Sequence, residues 1–255
     1  MHEMVFLVYP KSQHEENEVE FWEKHWQKRC NYIEEHGTPW QFDGYWQNKL
    51  YKRKIGVFNR LVGDARSKKI LEPGAGCEIV SLAQVSRRAQ VDLLELSDSA
   101  IRYMKMVRDY IGLESEPRIY IGKGDLFDLP YEDNTFDITW NSGVIEHYDF
   151  ADKAIIEMKR VTKPGGNILV AVPNLIAPEL LANQFKNRRG TEHYFSQRSL
   201  KNFLENQDLA DVSVETVPQV LPSTTGDKYI KRFERYEPLL GIFGMIHFAK
   251  GTKKL

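Results

Sequence analysis

The sequence predicts an α/β fold, a mostly parallel sheet with helices on both faces, preceded by a helical addition. Two observations lead there. From Lys68 onward, strand-like and helix-like stretches alternate, the pattern of a parallel sheet whose strands are joined by crossover helices. Where that alternation starts, Ile70-Leu71-Glu72 runs into a glycine turn, Pro73-Gly74-Ala75-Gly76, before helix resumes. Glycines suit a corner that needs backbone angles closed to other residues and lets a ligand lie against the main chain. The helix start beyond offers unpaired N–H groups and the positive end of a dipole. In open sheets of this kind a nucleotide-like ligand sits at that place.

Length and composition set the frame. A chain of 255 residues accommodates one domain with additions and buries a substantial core. Its formal net charge of -1 gives no electrostatic case for a nucleic-acid backbone as main partner. Cys30 and Cys77 stand far apart, without metal-ligand spacing, as expected of a reducing compartment without disulfides. The run Met4–Tyr9 is too short for a signal-peptide core. No stretch approaches the ~20 apolar residues of a membrane span. A soluble, cytoplasmic protein is the expectation.

Residues 1–67 form the helical addition and 68–255 the ligand-binding domain. The first region is rich in aromatic and charged side chains, and Val19, Trp22, Trp26, Cys30 and Ile33 share one helical stripe. That stripe either packs on the main domain or forms a lid, with Tyr45, Trp46 or Tyr51 near a substrate; both can hold together. Gly37-Thr38-Pro39 interrupts it, and a second helix is expected over 41–58. The main domain then reads as strand Ile70–Glu72, helix 78–86, strand 91–96 and helix 98–111 capped by Ser97. Strands at 118–122 and 138–140, a helix over 151–162 and a strand over 168–174 follow. A helix at 199–206 and strands at 212–217 and 241–248 close the domain, with a long polar and aromatic link at 222–238.

The glycine turn narrows the ligand. A dinucleotide site wants a third glycine three residues after the second, and Ile79 stands there, which counts against NAD or FAD. Glu72, two residues before the first glycine, would face the cavity, where an anion repels phosphate and attracts an ammonium group. The stretch resembles the first motif of class I S-adenosylmethionine-dependent methyltransferases, with one departure: Glu78 stands where the third glycine usually falls.

Further segments carry the same resemblance in the same order. Glu95 ends the second strand about twenty positions after the turn, the spacing of a ribose contact, and Glu95-Leu96-Ser97 is similar to the family's acidic-x-Ser step. Gly124-Asp125-Leu126 through Leu129-Pro130-Tyr131 resembles a segment whose aspartate contacts the adenine amino group, a role that falls on Asp125 with Leu126 beside it. Asn141-Ser142-Gly143-Val144-Ile145-Glu146-His147 is similar to the segment of ubiquinone-biosynthesis-like small-molecule methyltransferases, and unlike the [ND]-P-P-[YF] segment of DNA amino-methylases. Arg160–Gly166 resembles the structural turn before strand five, and Glu192–Ser196 the step before the last helix.

The resemblance implies a seven-stranded sheet, S-adenosyl-L-methionine as cofactor, and contacts from Glu72, Gly74, Ala75, Gly76, Glu95, Leu96, Asp125, Leu126, Asn141 and Ser142. His147 is the first candidate base, since histidine titrates near neutral pH, and His193 the second; each also has a structural reading. Glu146 and His147 have no further metal ligands in view, so no metal is expected. Lys186, Arg188 and Arg189 are either a solvated charge run or a grip on an acidic acceptor. Three functions stay open: methyl transfer to oxygen or nitrogen of a small molecule, methylation of a protein or tRNA, or cofactor binding without turnover. The acceptor and the oligomeric state are not legible in the sequence.

Overall fold

In the computed structural model the described residues are 18–76, 79–178, 193–221, 225 and 227–255. Seven strands form one sheet: β1 Lys69–Pro73, β2 Gln90–Glu95, β3 Ile119–Lys123, β4 Phe136–Ser142, β5 Thr162–Pro173, β6 Leu209–Val217 and β7 Ile246–Lys253. Their order is β3-β2-β1-β4-β5-β7-β6. The first five run parallel, and β7 is antiparallel to both β5 and β6. The seven-stranded, mostly parallel sheet is therefore present.

Why these residues make strands is visible in β5. Leu169 and Ala171 belong to one buried cluster, Ile168, Val170 and Val172 to another. Alternate side chains leave opposite faces of a strand, so a continuous apolar run serves a sheet covered on both sides. The first cluster holds the sheet against α1 (Glu18–His36), α2 (Tyr45–Val62), α3 (Val80–Gln84) and α4 (Asp98–Tyr110). The second is filled by α5 (Ala151–Val161) and α6 (Gln197–Glu205). A further helix among the described residues, α7, spans Asp227–Phe233.

Local chemistry sets the ends. Ser97 caps α4 by accepting the Ala100 N–H at 3.0 Å. Ser196 and Ser199 form a reciprocal cap at the start of α6, each bonding the other's backbone N–H. The stripe on α1 faces the domain: Cys30 is fully buried, with its thiol 3.5 Å from the Ser99 carbonyl.

Several element boundaries differ from those the sequence predicts. The last strand runs over Ile246–Lys253 rather than 241–248, because the 3-10 helix Glu234–Phe243 consumes the start of the expected run. The link at 222–238 thus contains helix. β5 starts at Thr162, six residues early. Phe136 pairs with Thr162 and Ile138 with Asn167, so residues 163–166 bulge out between them, with Gly165 at φ +75°. The predicted corner is real, but it sits inside the strand as a bulge. A 3-10 turn at Trp40–Phe42 occupies the predicted start of the second helix, and α2 begins at Tyr45 and extends to Val62.

Candidate active site

A cavity of about 590 Å³ opens at the carboxyl ends of the parallel strands. Its floor is the glycine turn after β1. Gly74 and Gly76 adopt φ +67° and +51°, angles that other residues reach only with strain. They also sit under close cover. A Cβ on Gly74 would lie 2.8 Å from the Val144 side chain, and one on Gly76 would lie 2.7 Å from the Trp26 indole. The Gly76 N–H donates to Glu95 Oε1 at 3.1 Å and the Leu96 N–H to Oε2 at 2.9 Å. The turn and the end of β2 are thereby locked to each other. Burial pushes the Glu95 carboxyl above its usual range, with the Leu96, Ser97 and Gly76 N–H groups opposing. After β3, Asp125 accepts the Phe127 N–H at 2.8 Å, which fixes its side chain at the cavity wall.

The cover comes from the helices ahead of the sheet. Trp22, His25 and Trp26 lie at i, i+3 and i+4 on α1 and line the cavity together. Trp22 packs against two imidazoles, edge-on to His147 at 5.2 Å and to His25 at 5.6 Å between ring centres. Burial lowers the His25 pKa, aided by Arg29 and Lys28, so its imidazole is neutral at neutral pH. Glu23, on the same helix, accepts the Ser97 hydroxyl at 2.6 Å and the Ser99 N–H at 3.1 Å, and also bonds the Ser99 hydroxyl. Those bonds pin α1 to the N-terminus of α4, one step beyond Glu95, and hold the Glu23 carboxyl below its usual range. From α2 come Leu50, Tyr51 and Lys54. Lys54 is 5% exposed, and its ammonium donates to Ser142 Oγ at 3.0 Å.

Of the residues named from the sequence, Gly74, Ala75, Gly76, Glu95, Leu96, Asp125, Leu126, Ser142 and His147 line this one cavity. Three do not. Glu72, expected to face the cavity, is completely buried behind the turn; the Ser81 hydroxyl donates to it and itself accepts the Trp140 indole N–H at 2.7 Å. Asn141 is buried with its amide 3.4 Å from Met158 Sδ, because it points the opposite way from Ser142 on the strand. His193 turns to Asp149, 3.0 Å away, and its backbone N–H donates to the Glu146 carbonyl. Tyr45 is likewise elsewhere, bonded to Glu234. Glu78, Lys186, Arg188, Arg189 and the Trp46 side chain lie outside the described residues.

Sequence reasoning missed His25, Lys54 and Glu23. His25 and Lys54 carried a signal, since each lies three residues after an aromatic of the cavity wall, Trp22 and Tyr51. Glu23 had none, because its partners are more than 70 positions away.

The residues present fit a nucleoside that carries an amino-acid tail. Glu95 can accept hydrogen bonds from vicinal hydroxyls, Leu96 and Leu126 offer apolar sides for a base, and the Lys54 ammonium can meet a carboxylate. Among the described residues no group of three or more His, Cys, Asp and Glu could hold a metal ion, and no helix is long and apolar enough to cross a membrane.

Known proteins match this chain over part of its length. Residues 71–170 match the family model of the methyltransferase domain. A probable S-adenosylmethionine-dependent methyltransferase of Mycolicibacterium smegmatis is 30% identical over 51% of this chain and 48% of its own. A demethylmenaquinone methyltransferase of Streptomyces avermitilis is 28% identical over 49% of each chain. The chain thus spans about half the length of these curated relatives. Among solved structures, a Haemonchus contortus phosphoethanolamine N-methyltransferase 2 in complex with S-adenosyl-L-methionine shares the fold, with a TM-score of 0.57 at 15% identity over 80% of this chain and 53% of that one.

Proposed function

We propose that the chain carries a class I S-adenosylmethionine-dependent methyltransferase domain and that it transfers a methyl group to oxygen or nitrogen of a small-molecule acceptor. The observation that carries this reading is the shared cavity: nine of the expected site residues stand in one space with an aromatic and imidazole cover from α1 and α2. A cavity walled in this way suits a modest, largely apolar acceptor, whereas a protein or tRNA substrate needs an extended groove.

The cofactor supplies an electrophilic methyl group on a sulfonium that departs as a neutral thioether. In this reading the Glu95 carboxylate, aligned by the Gly76 and Leu96 N–H groups, accepts from the ribose hydroxyls. Asp125 and Leu126 flank the adenine, as the family resemblance implies. Lys54 pairs with the carboxylate of the amino-acid tail. Trp22, Phe127 and Tyr148 displace water and restrict the acceptor's approach, which lowers the entropy cost of in-line attack. A ring nitrogen of His147 takes the proton of an acceptor hydroxyl. Neutral His25, which also packs on Trp22, offers a second hydrogen-bond acceptor. His193 has no part, since it does not reach the cavity wall.

The test is calorimetry with S-adenosylmethionine, S-adenosylhomocysteine, NAD and NADP, followed by labelled-methyl transfer to a panel of hydroxyl and amine acceptors. Binding restricted to the two sulfur nucleosides, with label entering a low-molecular-weight product, is the expected result. Binding of NAD instead would overturn the reading, and label appearing only in protein or RNA would move the acceptor to a macromolecule.

A further inference from the structure

The segment joining β6 to β7 contains α7 and the 3-10 helix Glu234–Phe243, and its charges are sorted by side. Two of its carboxylates turn inward to α2. Glu237 is completely buried between Lys49, at 2.7 Å, and Arg53, at 2.6 Å, and Glu234 accepts the Tyr45 hydroxyl at 2.8 Å. Ile230, also fully buried, fastens α7 from the same side. The outward side keeps the exposed cations Lys228, Arg232 and Arg235 against the single carboxylate of Asp227, while Lys231 stacks its ammonium on the Tyr45 ring of α2 at 4.8 Å. The same segment also leaves large apolar side chains in water: Tyr229 is 65% exposed, Leu239 82% and Ile242 58%.

We propose that this outward face docks the protein on the surface of an anionic lipid bilayer. The two sets of side chains match the two layers of such a surface. Lysine and arginine gain from the negative potential of the headgroups, while Leu239, Ile242 and the body of Tyr229 reach the boundary with the acyl chains. Tyrosine is suited to that boundary because its ring is apolar and its hydroxyl stays wet. A second copy of the chain is a poorer occupant, because a two-fold contact sets the three cations of one copy against the three of the other. The docking is peripheral, and no helix of the described residues crosses the bilayer. The inference stands apart from the methyl-transfer reading, since none of these outward residues lines the cavity.

The experiment is co-sedimentation of the whole chain with vesicles of phosphatidylcholine alone and of phosphatidylcholine mixed with phosphatidylglycerol, at low and high salt. The protein should pellet with the mixed vesicles only, and less at high salt. Two double variants separate the contributions, Leu239→Asp with Ile242→Asp, and Lys228→Glu with Arg232→Glu. Each should lower the partition coefficient by about tenfold or more, with the melting temperature and S-adenosylhomocysteine affinity unchanged because these positions are exposed. Failure of the unaltered protein to pellet with anionic vesicles overturns the proposal. Binding that the Leu239/Ile242 variant retains in full overturns it as well, leaving only unspecific charge attraction.

Discussion

Adding one methyl group at Gly76 tests how the glycine turn and the covering helix depend on each other. In Gly76→Ala the backbone must hold φ +51° with a Cβ present, which costs about 1 kcal/mol. The new carbon would also lie 2.7 Å from Trp26 Cζ2 and 2.9 Å from Cη2. To regain an ordinary contact of ~3.5 Å the indole must retreat by about 0.8 Å. Trp26 is 9% exposed and packs on Tyr103 with ring centres 5.7 Å apart, so it has little room. Overpacking of this kind costs about 1–3 kcal/mol. The combined loss of about 2–4 kcal/mol corresponds to a melting temperature lower by roughly 5–15 °C. Calorimetric melting measures it, and S-adenosylhomocysteine titration reports the accompanying shift of the Gly76 N–H against Glu95. The two contributions separate on a Trp26→Ala background, where the indole is gone and the same change should cost only about 1 kcal/mol. A Gly76→Ala protein that melts like the parent and binds with unchanged affinity would refute the close approach of α1 to the turn. Equal costs on the two backgrounds would refute the clash.

Three further outcomes follow from single residues. Glu95→Ala should weaken S-adenosylmethionine binding by roughly 2 kcal/mol or more, since hydrogen bonds to an ionised acceptor are lost; an unchanged calorimetric affinity would remove Glu95 from the site. Lys54→Met should weaken S-adenosylhomocysteine by about tenfold or more yet leave 5′-methylthioadenosine, which lacks the carboxylate, nearly unaffected. Equal losses for both ligands would mean that Lys54 acts through packing alone. His247, 1% exposed on β7, has its pKa pushed down by burial to about 4. Its folded-state value lies below the ~6.5 of an unfolded chain, so protonation favours unfolding. Stability should fall by up to about 3 kcal/mol between pH ~6.5 and about 4. Melting curves for His247→Gln should lack that component, and an identical pH dependence in the two proteins would dismiss it.

How far the sequence could be read depended on whether local chemistry decided the outcome. The glycine turn, the acid ending β2 and the Asp125 segment are each set by a few adjacent residues, and all reached the cavity. The face of a side chain near a strand end was harder to read. Glu72 and Asn141 belong to motifs that line such cavities, yet both are buried away from it, where a register of one residue separates wall from core. His193 was read from its neighbours in sequence, but Asp149, 44 positions away, decides where it points. The helix positions of His25 and Lys54 follow an ordinary 3.6-residue period, but their polarity hid them among surface residues until the packing of α1 and α2 was known. The shift of the last strand has a similar cause. Gly241, Ile242 and Phe243 have strand-like composition, but the buried Glu237 ties the preceding chain to α2 and the helical path continues past them.

The place of β7 has a consequence for how the molecule is made. It comes last of the seven along the chain, yet it lies between β5 and β6 and pairs with both. During synthesis, β6 has no neighbour to join and β5 presents an open edge until residues 246–253 have emerged. Exposed edges of that kind invite pairing with other chains, and nascent proteins pass through such states before their late segments arrive. One short stretch, eight residues long, therefore closes two liabilities at once as it slides into the gap.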